Sequence, residues 1–460
     1  MQAALEPFLQ AHADEVSWVV VAQLSPFAPP ENPGRLYDFY RASNEHQIEN
    51  EVRSALKYNR NSRLSNKEAG AWMEIFVAYW RAVGFILRAE EARNQGRIED
   101  RQFVDIYDAW KTMTDLIVRH ISNGSLPNWT IVCMYVTANH LRRFAIRADE
   151  QLAQSKSNVT FSPGFGDDIV STVARNEKLE EAARVFNKMF ALCLGDRNPD
   201  MRESRKWGTY YVANLLFKTY FKLKNVSLSK NVVRSIEAQN DLPDFKVYPA
   251  AHRTTYKYYV GVLAFLQEDY TKAESCLTDA WNMCLPDSMK NQELILTYLI
   301  PCRLITKHNI PTQTLLASYP GLKRIFGPLV SCIKSGDLAG FDAALLAGED
   351  TFVKRRIYLT LERGRDIALR NLLRKTFLAE GFEDLKEGQS ELDRIRKTRI
   401  PLSHFVVALR LRSSGQALED DEVECLLANM IYKGLMKGYI SREHSMVVLN
   451  KKGAFPGTGV

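Results

Sequence analysis

The chain has 460 residues, 46% hydrophobic and 25% charged, with 24 Gly and 17 Pro, which excludes a mostly disordered, collagen-like or low-complexity chain. Its net charge of +7 is uneven: residues 351–460 carry 20 Lys/Arg against 14 Asp/Glu, while the rest hold 41 against 40, and a concentrated positive excess suggests a polyanionic partner. No apolar run is expected to reach the roughly 20 residues that span a bilayer, and MQAALEPFLQAHADEV, with Glu6, Asp14 and Glu15 and no basic start, is not expected to be a signal peptide.

In chain order, residues 24–34 (LSPFAPPENPG) read as an extended Pro-rich connector, so residues 1–40 form an N-terminal helix and linker. From about residue 45 to 380 the helical period dominates. Trp72, Ile75, Phe76, Tyr79, Trp80, Val83 and Leu87 share one stripe, and Arg101 to Ser122 repeats the pattern. Short breaks at 123–127, 162–166, 198–200 and 241–243 separate the helices. Residues 154–168 (QSKSNVTFSPGFGDD) read as a polar loop. Residues 41–200 are expected to be N-terminal helical repeats.

The segment 256–281 (YKYYVGVLAFLQEDYTKAESCLTDAW) carries a repeat signal. Gly261 and small residues such as Ala273 and Ala280 let two antiparallel helices approach, and aromatics fill the space between them, as in a tetratricopeptide pair. Looser versions occur at 181–194, 206–223 and 292–304, so residues 201–350 are expected to continue as a degenerate, TPR-like array. Such arrays present extended surfaces to other chains.

The last segment, 351–460, changes character. Phe352 to Phe377 reads as a helix or a helix pair broken near Gly364. A basic run, Arg394-Ile-Arg396-Lys397-Thr-Arg399, precedes a helix opened by Pro401. Another helix starts in the acidic stretch Glu419-Asp420-Asp421-Glu422, with Asp420 as the expected cap. Two short strands follow, 438–441 and 446–449. Helix, helix, helix, hairpin is the order of a winged helix.

Seven scattered Cys without a CxxC pair read as free thiols. Eight His form no HExxH, Pro163-Gly164-Phe165-Gly166 lacks the Lys of a phosphate loop, and there is no GxSxG elbow. No catalytic residue, metal or cofactor is expected.

Helical repeats running into a terminal winged helix resemble the PCI domain of proteasome-lid, signalosome and translation-initiation subunits. KNQELILTYLIP (290–301) and LANMIYKGLMKGYIS (427–441) resemble signatures of one branch, which holds the PCI subunit of the TREX-two mRNA-export complex and the homologue of signalosome subunit twelve; the latter is the closer in pattern. The resemblance covers about residues 200–456 well, and the N-terminal half only in helical layout. It implies a mainly α fold, a TPR-like superhelix followed by a winged helix. It also implies a non-enzymatic nuclear scaffold, with the cytoplasm as a second location. The scaffold would pair with a second PCI protein and a small acidic disordered subunit, making a platform for RNA or DNA in mRNA export, transcription or splicing. A purely protein-organising role in a signalosome-like complex is the alternative.

On these expectations, Lys433, Lys437, Arg442, Lys451 and Lys452, with Arg394, Arg396, Lys397 and Arg399, are the candidate phosphate contacts. Carboxylates at the start of the acidic helix argue against base reading from that end. The hairpin, through Ile440, Val447, Val448 and Leu449, is the candidate surface for the second PCI protein. Arg202, Arg205 and Lys206, with Lys218, Lys222 and Lys224, are the candidates for the acidic subunit, and Trp207, Tyr210, Tyr211, Phe217, Tyr220 and Phe221 are either its anchors or repeat core.

Overall fold

The computed structural model describes residues 1–59, 62–96, 101–159, 176–384, 396–412 and 418–460, apart from the side chains of 156–159 and Arg202. It is mostly helical, and the chain divides into two compact units, Met1–Tyr256 and Lys257–Val460.

The first unit holds α1 (Gln2–Ala13), α2 (Ser17–Gln23), α3 (Arg35–Arg41), α4 (Ile48–Lys57), α5 (Asn66–Asn94), α6 (Gln102–Ser122), α7 (Ile131–Val159), α8 (Glu177–Leu194), α9 (Thr209–Lys222), α10 (Val226–Glu237) and the start of α11 (Ala250–Leu266). Helix α5 begins at a capping box: Ser65 accepts from the Glu68 amide, and the Glu68 carboxylate accepts from the Ser65 amide. Its apolar stripe builds an aromatic core. Phe8 meets the edges of Trp72 and Phe76 at 4.8 and 4.7 Å. Trp110 on α6 is fully buried and donates to the Thr137 carbonyl at 2.9 Å. Helix α5 is long and apolar enough to cross a membrane by length and composition, which corrects the expectation of no such run. Its stripe is buried among these rings, as in the core helix of a globular unit.

The Pro-rich connector is pinned by one guanidinium. Arg35 donates to the carbonyls of Gln23 (3.0 Å), Ser25 (2.7 Å) and Phe27 (3.2 Å), and Tyr79 donates its hydroxyl to Ser25 O as well. A chain poor in internal hydrogen bonds is thereby satisfied by side chains. Helix α7 runs on to Val159, past the start of the expected loop; the remainder of that loop, 160–168, lies outside the described residues. Asp149 on α7 accepts from the Lys178 and Leu179 amides, both at 3.0 Å, and caps the first turn of α8.

In the second unit, α11 runs into α12 (Tyr270–Met283) as the sequence pattern required. A Cβ at Gly261 would lie 2.7 Å from Leu277 Cγ, so only glycine permits this crossing. Asp269 caps α12 through the Lys272 amide. Then come α13 (Met289–Thr306), α14 (Gln313–Ser318), α15 (Pro320–Ser335), α16 (Leu338–Ala347), α17 (Glu349–Lys354), α18 (Tyr358–Glu362) and α19 (Gly364–Ala379). The expected break near Gly364 is two breaks: one between Lys354 and Tyr358, where Arg356 lies in the left-handed region at φ 58°, and a second at Arg363, between α18 and α19.

Beyond α19 lie β1 (Arg399–Pro401), α20 (Leu402–Arg412), α21 (Asp420–Tyr432), β2 (Gly438–Ser441) and β3 (Met446–Leu449). The hairpin strands have the bounds the sequence set. Strand β1 is additional: Pro401 ends it, and the helix opens one residue later. The sheet order is β1-β3-β2, antiparallel throughout, so β3 is central. The expected Asp420 cap is also corrected, because Glu419 and Glu422 form a capping box there. The core of this module is aliphatic with three Phe: Phe377, Ile400, Phe405, Leu409, Val423, Leu427, Val447, Leu449 and Phe455 are all buried.

Candidate nucleic-acid interface

Register fixes which strand residues share a face, because side chains alternate across a pleated sheet. Ile400 pairs with Val447, which pairs with Ile440, and Val447 and Leu449 are buried against the helices. The next row, Arg399–Val448–Tyr439, therefore lies on the outer face. Arg399 is exposed, and Tyr439 is 61% exposed. Lys437, two residues before Tyr439, continues that face: its carbonyl accepts from Asn450 and its amide donates to Ala454, while its side chain stays in solvent. Lys397, two residues before Arg399, is exposed in the same phase. None of Lys397, Arg399 and Lys437 has an acid within ion-pairing distance among the described residues.

Residues 346–451 match the model of the PCI domain. The chain is 47% identical to the Protein CSN12 homolog of Neurospora crassa and 44% identical to that of Gibberella zeae, each over the full length of both chains. It is 31% identical to PCI domain-containing protein 2 of Danio rerio, over 78% of this chain and 81% of the relative. The chain belongs to the PCI-domain family of the CSN12 homologs and PCI domain-containing protein 2. Its PCI region takes in α17 to β3 in full.

Within the PCI module the expected phosphate contacts divide. Lys433 is ion-paired with Asp366 of α19 at 2.6 Å, and Arg442 with Glu424 of α21 at 2.6 Å. The Glu424 hydrogen bond, then its charge, raises the Arg442 guanidinium above its ordinary value. Lys451 and Lys452 are exposed beyond β3. Arg396 lies 4.5 Å over the Phe382 ring, within the isolated bridge that joins those two residues. Arg394 lies outside the described residues. The acidic start of α21 serves its own helix through the capping box, and Asp420 pairs with Arg410 at 3.2 Å.

The expected partner residues need correction. Val447 and Leu449 are core, and both edges of β3 are paired, so neither residue can meet another chain. Ile440 and Val448 are half-buried; β1 and β2 are the edge strands, and the outer edge of β2 is unpaired among the described strands. Lys206 is buried and ion-paired with Asp241, and it also donates to the Asp241 carbonyl at 3.3 Å. Its own carbonyl accepts from Tyr248, so it clamps a loop rather than facing a partner. Arg205 is held by Asp196, whose carboxylate accepts from the Arg205 amide at 2.7 Å. The side chain of Arg202 lies outside the described residues. Tyr210, Phe217 and Tyr220 are repeat core; Trp207, Tyr211 and Phe221 are half-buried. Lys222 and Lys224 are exposed. Lys218 is exposed as well, and loss of water around its ammonium, then the charges of Arg142 and Arg143, lowers it from its ordinary value.

Sequence reasoning missed Tyr439, the exposed ring among the free cations. The signal was available in the hairpin phase: Tyr439 falls out of step with the buried Val447 and Leu449.

Proposed function

We propose that this PCI protein is a non-enzymatic scaffold subunit in a nuclear complex of mRNA biogenesis, acting in transcription-coupled export or splicing. Its winged helix binds single-stranded RNA or DNA without sequence preference. The observation that carries this reading is the sheet face that bears Lys397, Arg399 and Lys437 together with exposed Tyr439. Unneutralised cations take phosphates and release counterions, and an exposed ring stacks a base of any identity. The resemblance to the export-complex branch supports the nuclear setting, and the open edge of β2 supports strand-wise pairing with a second PCI-domain chain. Lys218, Lys222 and Lys224 at the end of α9 suit a small acidic, disordered subunit.

The test is mild affinity purification of the tagged full-length chain, followed by salt titration of the purified assembly against a labelled single-stranded RNA. The reading expects a second PCI-domain chain, a small acidic chain and steeply salt-dependent binding. An assembly with no RNA affinity at low salt would replace it with a purely protein-organising role.

A further inference from the structure

We propose a second single-stranded nucleic-acid site in the first unit, in a cleft between α3 and α5. The cleft has a volume of about 650 Å³ and is rimmed by Arg41, Arg81 and Arg88. Residues 81, 85 and 88 fall on one face of α5, so Arg81, Phe85 and Arg88 line the same wall. All three arginines are exposed, and none has an acid partner among the described residues; Glu45 is the acid on the rim.

The floor is built rather than incidental. Tyr40 stacks on Trp80 with ring centroids 4.7 Å apart, and Trp80 donates to the Tyr40 carbonyl at 3.0 Å. A Cβ at Gly84 would lie 2.6 Å from Tyr40 Cε2, so glycine at that turn of α5 is what lets Tyr40 lie down. Two of the guanidiniums are already set on rings: Arg88 lies 5.6 Å over Phe85 within the cleft, and Arg41 lies 5.2 Å over Tyr37, which is 53% exposed and stands outside the cleft lining.

Charge alone would suit any polyanion. The placing of guanidiniums beside the half-buried rings of Tyr40 and Phe85 in one cleft favours a strand that presents phosphates and flat bases together. Arginine grips phosphate through its planar fork, and bases stack on aromatic rings and on guanidinium planes. An acidic or phosphorylated peptide would use the charges and leave the rings idle.

This site goes beyond the winged-helix reading and has its own variants. The probe is a labelled oligouridylate octamer, bound by the full-length chain across a salt series and photocrosslinked at low salt. The inference expects uridine adducts on peptides holding Tyr40 or Phe85. It also expects the slope of log affinity against log salt to shrink by about 1.4 in Arg81→Gln/Arg88→Gln, two contacts at about 0.7 each. Adducts confined to residues 396–452 with an unchanged slope would overturn it and leave the winged-helix reading standing. A slope lost in Arg81→Gln/Arg88→Gln but kept in Lys397→Gln/Arg399→Gln/Lys437→Gln would support it and sink the winged-helix site instead. Displacement of the octamer by an equimolar phosphoserine peptide, with inorganic phosphate inert, would overturn it in favour of a peptide ligand.

Discussion

Two cationic regions of the winged helix differ in what they can still bind. At the end of α21 and the hairpin tip, Lys433 and Arg442 are each held by a carboxylate of the same module. On the outer sheet face, Lys397, Arg399 and Lys437 have no such partner among the described residues and share that face with an exposed ring. A positively charged stretch is therefore not in itself a phosphate site. A cation already paired must give up one anion to take another, and its net gain is small.

The strongest way to break the comparison is to remove the core both regions stand on. Leu427 is fully buried, so Leu427→Ala is expected to destabilise the module by about 2–5 kcal/mol. Hydrogen exchange at the β3 amides reads this, and β3 protection as in the parent would show that the sheet does not rest on α21. Next, Tyr439→Ala is expected to weaken single-stranded RNA binding by about 1–3 kcal/mol, the loss of one stacked base. Its 61% exposure predicts unchanged thermal unfolding alongside. The contrast sharpens if the neutralising acids are removed. Asp366→Asn with Glu424→Gln frees Lys433 and Arg442, and the salt slope for RNA is expected to steepen by up to about 0.7 for each freed cation that reaches a phosphate. Smallest of all, Lys433→Ala is expected to change stability by no more than about 1 kcal/mol, as for other exposed ion pairs, with RNA affinity as in the parent.

Much of the fold was legible in the sequence. The helical body follows from three-and-four spacing, the α11–α12 crossing from Gly261 and Ala273, and the hairpin from its alternation and its Gly438 start. Strand β1 was not, because three residues ending in Pro401 carry too little alternation and gain their partner only through β3. The site was half legible. Residue type identified the cations, but pairing is a tertiary fact: Asp366 lies 67 positions from Lys433 in the chain. Lys206 shows the same limit, since nothing local reports that it is buried and paired with Asp241. Val447 and Leu449 looked available because the third strand was unseen.

The most direct test compares salt slopes for single-stranded RNA between two charge-removing variants of the full-length chain, Lys397→Gln/Arg399→Gln/Lys437→Gln and Lys433→Gln/Arg442→Gln. The account predicts that the first loses about 2 from the slope, three contacts at about 0.7 each, while the second keeps the parent slope. The reverse pattern, or equal losses in both, would contradict the assignment of phosphate binding to the sheet face.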